Sequence, residues 1–206
     1  LQSVDPFIGT SGLGSTYPGV SCPFGLVQVS PDTGSGQGWY WSGYQKKDYH
    51  IYGFSHTHLS GTGCEDYGDI LVMPFSGEQD IDQDWMAQKK YKSHFSHKSE
   101  RAEPGYYSVI LDNSRVLAEL TVAERFAVHR YTFPSKGPKG IVVDLTSRDK
   151  TLDCELHYDP YEDAIVGYRH SSSWSPNQYC YFAMAANVEF DSISYIKAPE
   201  GIVVDE

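Results

Sequence analysis

Apolar residues recur at every second position through the second half of the chain, the spacing that lays one face of a β-strand against a core. The clearest run sets Val116, Ala118, Leu120 and Val122 on one face, with Phe126 and Val128 expected to continue it. Glu124 interrupts that face, and a single strand over 116–133 would be far longer than strands usually are, so a bend or strand switch is expected near Glu124. Further strand-like runs cover 25–30, 69–75, 106–111, 140–146, 164–170 and 179–190, with turn residues between them. Residues 201–205, GIVVD, read as one more strand that begins after Ala198-Pro199-Glu200 and is cut short, which predicts a longer parent protein. Only 81–92 could make a useful helix, and its apolar stripe of Ile81, Trp85 and Met86 is thin. The pattern predicts an all-β fold, an antiparallel β-sandwich with little helix, formed by 1–206 as one domain.

The first third breaks the alternation. Residues 9–68 carry most of the glycines, in GTSGLGSTYPG, DTGSGQGWYWSGY and LSGTGCEDYGD, with aromatic and His residues interleaved where a flexible linker would carry Ser and charge. Long, ordered, glycine-rich loops are the expectation there. The chain is unusually aromatic, with 16 Tyr, 9 Phe and 4 Trp, which suits both strands and surfaces that face sugars. A net charge of −11 with scattered Lys and Arg would repel a phosphate backbone, so nucleic acid is an unsuitable partner. No apolar run approaches the roughly 20 residues of a membrane span. The four cysteines show no C-x-x-C spacing and are expected to be free thiols.

Several constellations invite a chemical reading. His56 and His58 in GFSHTHLSGTG would share one face of a strand and could share a metal ion, although such a pair more often hydrogen-bonds a loop or a neighbouring domain. Asp80, Asp82 and Asp84 imitate the opening of a calcium loop, but Trp85 and Tyr91 stand where the sixth-position Gly and twelfth-position Glu belong, so a solvated acidic turn is expected. No G-x-S-x-G elbow, P-loop or dinucleotide fingerprint occurs. The aromatic stretch from Gly38 to Tyr44 carries Trp39, Tyr40 and Trp41 between glycines; an indole there could stack on the apolar face of a pyranose, or close the end of the core.

VDPFIGT at 4–10, TYPGV at 16–20, PFGLVQVSPDT at 23–33 and IYGFSHTHLSGTGCEDYGDILVMP at 51–74 resemble the family 92 glycoside hydrolases, calcium-dependent exo-α-mannosidases. PGYYSVIL at 104–111, AELTVAERFAVHRYTFP at 118–134 and GYRHSSSW at 167–174 continue the resemblance in the family's order. It implies an N-terminal β-supersandwich packed on a C-terminal (α/α)6 catalytic domain that 1–206 does not include. It further implies removal of terminal α-mannose with inversion by two carboxyl groups, and a Ca2+ ion, both in that missing domain, so no catalytic residue, metal ligand or cofactor is assigned here. The implied partners are α-mannoside glycans and the C-terminal domain, and the implied location is secreted, periplasmic or at the cell surface. For this portion the resemblance implies a share of the substrate cleft: Trp39 opens the family's G-W-x…S-G-Y stretch, and His56 and His58 match its S-H-T-H. Ser15 stands where the family usually has His, and Tyr40-Trp41 replaces an acidic and small pairing. A stand-alone carbohydrate-binding module and a purely supporting domain are the alternatives.

Overall fold

A computed structural model describes residues 3–34, 41–61 and 63–196. Along them run β1 (Val20–Ser21), β2 (Gln28–Asp32), β3 (His50–Ile51), β4 (Gly53–Ser55), β5 (Leu71–Ser76), α1 (Gln83–Ala87), β6 (Ser93–His94), β7 (Arg101–Glu103), β8 (Tyr106–Leu111), β9 (Val116–Val122), β10 (Ala127–Thr132), β11 (Lys139–Asp144), β12 (Lys150–Asp159), β13 (Ala164–Ser172) and β14 (Gln178–Met184). A five-stranded sheet, β1-β2-β4-β5-β11, faces a four-stranded one, β10-β9-β8-β7, with β9 lying against β1, β2 and β5. The pairings within both are antiparallel. The core between them comes from Val29, Phe54, Leu71, Met73 and Val142 on one side and Tyr107, Val109, Leu111, Val116, Ala118 and Leu120 on the other. This is the all-β sandwich that the alternation predicts.

The interruption at Glu124 is a hairpin rather than a bend. Ala123 N–H donates to the Phe126 carbonyl at 2.8 Å, and β10 returns against β9 with Leu120 opposite His129 and Ala118 opposite Tyr131. Residues opposite each other in a ladder share a face, so Ala127, His129 and Tyr131 point inward. Phe126 and Val128, expected on the inner face, are exposed. The turn consumes residues without keeping the period-two count.

The helix is shorter than its pattern allowed. Asp82 caps it, its carboxylate accepting Trp85 N–H at 2.7 Å, and Lys89, at φ +49°, carries the backbone out of helical space two residues past its end. The stripe reduces to buried Trp85, which meets Phe75 edge-on at 5.7 Å and Tyr91 at 5.6 Å, and half-buried Met86 beside it, while Ile81 is exposed. Thus two carboxylates of the Asp80–Asp84 stretch make local bonds, Asp82 as the cap and Asp84 as acceptor from Gln88 and Lys90 on the exposed side.

A third sheet, β12-β13-β14, covers a smaller core of Ile70, Leu145 and Cys154 with Leu156, Phe182 and Met184. β12 escapes the sequence reading because only Cys154 and Leu156 mark its inner face among Asp153, Glu155 and His157. β14 stops at Met184, short of the expected 190. Arg169, flanked in register by Cys154 and Cys180, enters this core fully buried. Its guanidinium donates to Asp69 at 2.6 Å and to the Leu145 carbonyl at 2.7 Å, and forms a short bond with Asp149. All four cysteines are free thiols.

Candidate functional site

The two glycine-rich loops between β2 and β5 meet over a buried cluster of charges. Asp32, the last residue of β2, receives the Ser55 N–H at 3.2 Å and a short hydrogen bond from the Ser55 hydroxyl on Oδ2. Its Oδ1 faces His58 Nε2 at 3.3 Å and accepts from Arg148 Nη1 at 3.2 Å. Burial works to raise the Asp32 pKa, but the charges of His58 and Arg148 and the bonds from His58 and Ser55 outweigh it and hold the carboxyl below its usual range. The cluster therefore contains a carboxylate.

Arg148 extends this cluster upward into the loops. Its Nη2 donates to the Trp41 carbonyl at 2.5 Å. Gly43, at φ +85°, passes so close that a Cβ there would lie 2.2 Å from Asp32 Oδ1 and 2.8 Å from Arg148 Nη1. Gly68, at φ +75°, closes from the other loop, where a Cβ would meet Arg148 Cδ at 2.1 Å. Both positions need a left-handed backbone and no side chain. Thr33 N–H to the Gly43 carbonyl at 2.8 Å and Gln45 N–H to Thr33 Oγ1 at 2.9 Å tie the aromatic loop back to the end of β2. Trp39 and Tyr40 lie outside the described residues; of the loop's other aromatics, Trp41 is half-buried and Tyr44 is fully inside the core.

The two histidines do not share a strand face, because β4 ends at Ser55 and the chain bends at His56. His58 turns its Nδ1 to the Gln28 carbonyl at 2.8 Å and its Nε2 to Asp32 and Ser55. A carbonyl can only accept, so Nδ1 carries a proton. His56 runs the opposite way: Nδ1 donates to the Ile70 carbonyl at 2.7 Å, and Nε2 meets His129 Nε2 at 3.0 Å across the sandwich. His129 Nδ1 then faces the Tyr131 hydroxyl at 2.7 Å. If His56 holds its proton on Nδ1, its Nε2 accepts from His129 Nε2–H, and His129 Nδ1 accepts from Tyr131. One assignment satisfies every atom. Burial lowers the pKa of His56, and burial together with the His56 charge takes His129 well below the usual range. Both rings are neutral at neutral pH.

Ser55, His58 and Asp32 carry the residue types of a nucleophilic triad without its wiring. A working triad puts the acid on one imidazole nitrogen and the serine on the other. Here Asp32 and Ser55 crowd the same Nε2, bond directly to one another, and leave Nδ1 to a main-chain carbonyl. Ser55 is wholly buried as well. A small cavity of about 10 Å³ beside the cluster, lined by Asp32, Tyr52, Gly68, Lys89, Ser147 and Arg148, has room for one water and none for a sugar. Among the described residues, no three His, Cys, Asp or Glu side chains come together as metal ligands, and no helix is long and apolar enough to cross a membrane.

Asp32, Arg148, His129 and Tyr131 were not singled out in the sequence. Asp32, His129 and Tyr131 lie inside segments that carry the family resemblance, in PFGLVQVSPDT and AERFAVHRYTFP, whereas Arg148 sits in SRDK and has no motif around it. Its role becomes visible only when β11 brings the residues after Asp144 beside the loops.

The loops of the sandwich are thus clamped from beneath by buried charges, and Ser55, His58 and Asp32 are locked in internal bonds. Residues 3–202 match the model of the glycosyl hydrolase family 92 N-terminal domain, and the chain belongs to that family. A family GH92 α-mannosidase from Bacteroides thetaiotaomicron, solved in complex with mannoimidazole, superposes with a TM-score of 0.78 at 36% identity, over 87% of this chain and 24% of that one. The GH92 family glycosyl hydrolase ccman5 superposes with a TM-score of 0.75 at 31% identity, over 87% of this chain and 25% of that one. An uncharacterized secreted glycosidase of Arthroderma benhamiae is 30% identical over 174 residues, 80% of this chain and 22% of its own length. The chain thus spans about a quarter of the length of the relatives it matches.

Proposed function

We propose that this chain is the N-terminal domain of an exo-acting, inverting α-mannosidase and forms the leaving-group side of its substrate cleft, with catalysis carried out by the remainder of the parent protein. The observation that carries this reading is the clasp of Asp32 and Arg148, which fixes the Trp41 carbonyl and Gly43 from below and so sets the base of the aromatic loop. A platform for a sugar ring must be held rigidly, because binding energy is lost when a side chain has to be ordered on contact. Trp39 is the residue proposed to touch the sugar. His56 and His58 act one step back, His58 by orienting Asp32 and His56 by joining the loop after β4 to β10.

Inversion requires an acid and a base about 6.5–9.5 Å apart with a water between them. The carboxylates described above are committed to internal bonds, and both catalytic groups, with the Ca2+ that orients the mannose, belong to the catalytic domain in this reading. Export to the periplasm, cell surface or medium suits a glycan substrate and the secreted relative. The test is kinetic. The longer protein should cleave mannobiose and lose activity with chelator, while residues 1–206 alone should do neither chemistry nor tight mannose binding. Trp39→Ala in the longer protein should lower kcat/KM for mannobiose on the order of tenfold or more at unchanged melting temperature. Turnover by 1–206 alone would refute the division of labour. An unchanged kcat/KM would leave the domain a support, and tight, tryptophan-dependent mannose binding by 1–206 would make it a binding module.

A further inference from the structure

The small sheet has a second face that the proposed function leaves unused. Arg169 on β13 and Cys180, Phe182 and Met184 on β14 turn towards the core, so Tyr168, His170, Tyr179 and Tyr181 stand on the opposite side. Tyr179 and Tyr181 expose 52% and 73% of their surface. Rings so placed gain little burial from folding and stay open to a ligand.

The four rings form an ordered row. His170 lies face to face with Tyr179, centroids 4.0 Å apart and planes 8° from parallel. Tyr179 and Tyr181 follow at 6.3 Å with planes 11° apart, and Tyr168 packs against Tyr181 at 5.9 Å. Two rings are fixed at their tips: the Tyr168 hydroxyl donates to Asp153 at 2.5 Å, and His170 Nε2 meets Asn177 Oδ1 at 2.7 Å. Among the described residues nothing bonds the hydroxyls of Tyr179 and Tyr181. The face therefore offers preset ring planes edged by unused hydroxyls.

This row leads into the loop between β13 and β14, whose Trp174 is 84% exposed. That loop is tied to the second glycine-rich loop. Buried Asp66 accepts on Oδ1 from Ser175 N–H and from Gln178 Nε2, both at 2.8 Å. Asp66 stands two residues before Gly68, which closes on Arg148. Trp174 is thus the point at which the row joins the clamped loops.

The chemistry of the face selects its occupant. Asp153 and Glu155 of β12 lie beside the rings, Glu155 directly opposite Tyr168, and with the net charge of −11 they turn away a polyanion. Acidic residues are also depleted from the cores of protein interfaces. A pyranose suits both features, because its apolar C–H faces can lie on the rings while its hydroxyls bond phenols and carboxylates. An exo-acting enzyme leaves the rest of its glycan on the leaving-group side, the side that these loops are proposed to form.

We propose that the outer face of β13 and β14, together with Trp174, is a second carbohydrate-binding surface that holds the leaving-side chain of a long, uncharged α-mannan. The direction of that chain rests on the cleft reading given above; the surface itself does not use Trp39.

The experiment uses the longer protein. Hydroxyl-radical footprinting without glycan should oxidise Trp174, Tyr179 and Tyr181 as readily as exposed Tyr161, and soluble α-mannan should protect those three more than Tyr161. Protection without glycan would mean that the rest of the parent covers the face, and protection by polylysine as strong as by mannan would assign it to a cationic partner; either result overturns the proposal. The double variant Tyr179→Ala, Tyr181→Ala should lower kcat/KM for a linear α-mannohexaose on the order of tenfold and change that for mannobiose less than about twofold, with Trp174→Ala acting in the same direction. An equal fall for both substrates, or no fall for either, would also overturn it. If Trp39→Ala leaves mannobiose cleavage unchanged while these variants still weaken the hexaose selectively, the cleft reading fails and the second surface stands.

Discussion

Mild acid should loosen this domain through the imidazole pair that bridges the sandwich. His56 and His129 form their 3.0 Å contact with one nitrogen donating and one accepting; a second proton on His56 would set its Nε2–H against that of His129, and one on His129 would go to Nδ1 and displace the hydrogen bond that Tyr131 donates there. For His56, burial lowers the pKa and His58 adds to it, together outweighing the Ile70 carbonyl bond, Asp32 and Asp69, which favour charging; for His129, burial and His56 act in the same direction. Both folded pKa values thus lie below that of an ordinary histidine, about 6.5. A histidine of this kind contributes its full stability above the unfolded pKa and loses it as pH falls below that value towards the folded one. For one such group held neutral, the loss between pH 7.5 and pH 5 is up to about 2 kcal/mol, and for the pair up to about 4 kcal/mol. Urea unfolding of 1–206 at the two pH values measures it. His129→Gln gives the internal control, because an amide can donate to His56 and accept from Tyr131 without titrating, and it should remove about half of the pH dependence. Nitrogen-15 NMR should find the His56 proton on Nδ1 and the His129 proton on Nε2. A wild-type protein no more acid-sensitive than His129→Gln, or the opposite tautomers, would refute the reasoning.

Arg169→Met should destabilise the domain by about 3–5 kcal/mol in denaturant unfolding, since it leaves Asp69 and Asp149 buried without their cation; a loss under 1 kcal/mol would show that water reaches them. Gly43→Ala forces a side chain into a left-handed backbone and onto Asp32 and Arg148, so a melting temperature equal to wild type would contradict the clasp geometry; about 1–3 kcal/mol is expected from the backbone alone. Tyr91→Phe removes a donor 2.6 Å from the Asp144 carboxylate and should cost about 1–2 kcal/mol, towards the low end because Thr146 still supplies that carboxylate with its N–H and hydroxyl. An increase in stability would mean that the bond is not made in solution.

The sheets were legible where apolar residues alternate without interruption, as in β8 and the first strand of the β9–β10 hairpin. They were not legible where the inner face is built from polar atoms. His129 and Tyr131 face inward because a turn reset the parity, and β12 hides because its core side needs only Cys154 and Leu156 beside the Arg169 network. The same reason separates what the sequence could and could not say about the site. The S-H-T-H pair is conspicuous along the chain, but its partners are distant in sequence: Asp32 lies before it, and His129 and Arg148 follow long after. A cluster assembled from four separate stretches has no spacing to read. Glu100 is the extreme case, because one Glu among many becomes distinctive only when Tyr44, Lys46, His97 and Tyr107 all turn towards it.

The clasp under the aromatic loop has a bearing on the medium in which the protein can work. Asp32 and Arg148 each expose only 6% of their side chains, so dissolved ions cannot come between them and the Debye screening that weakens surface pairs has little hold there. The net charge of −11 is carried largely by the outside of the molecule and is fully subject to that screening. Brine and fresh water should therefore change how readily this domain associates with its neighbours, while leaving the seat of its aromatic loop where it is.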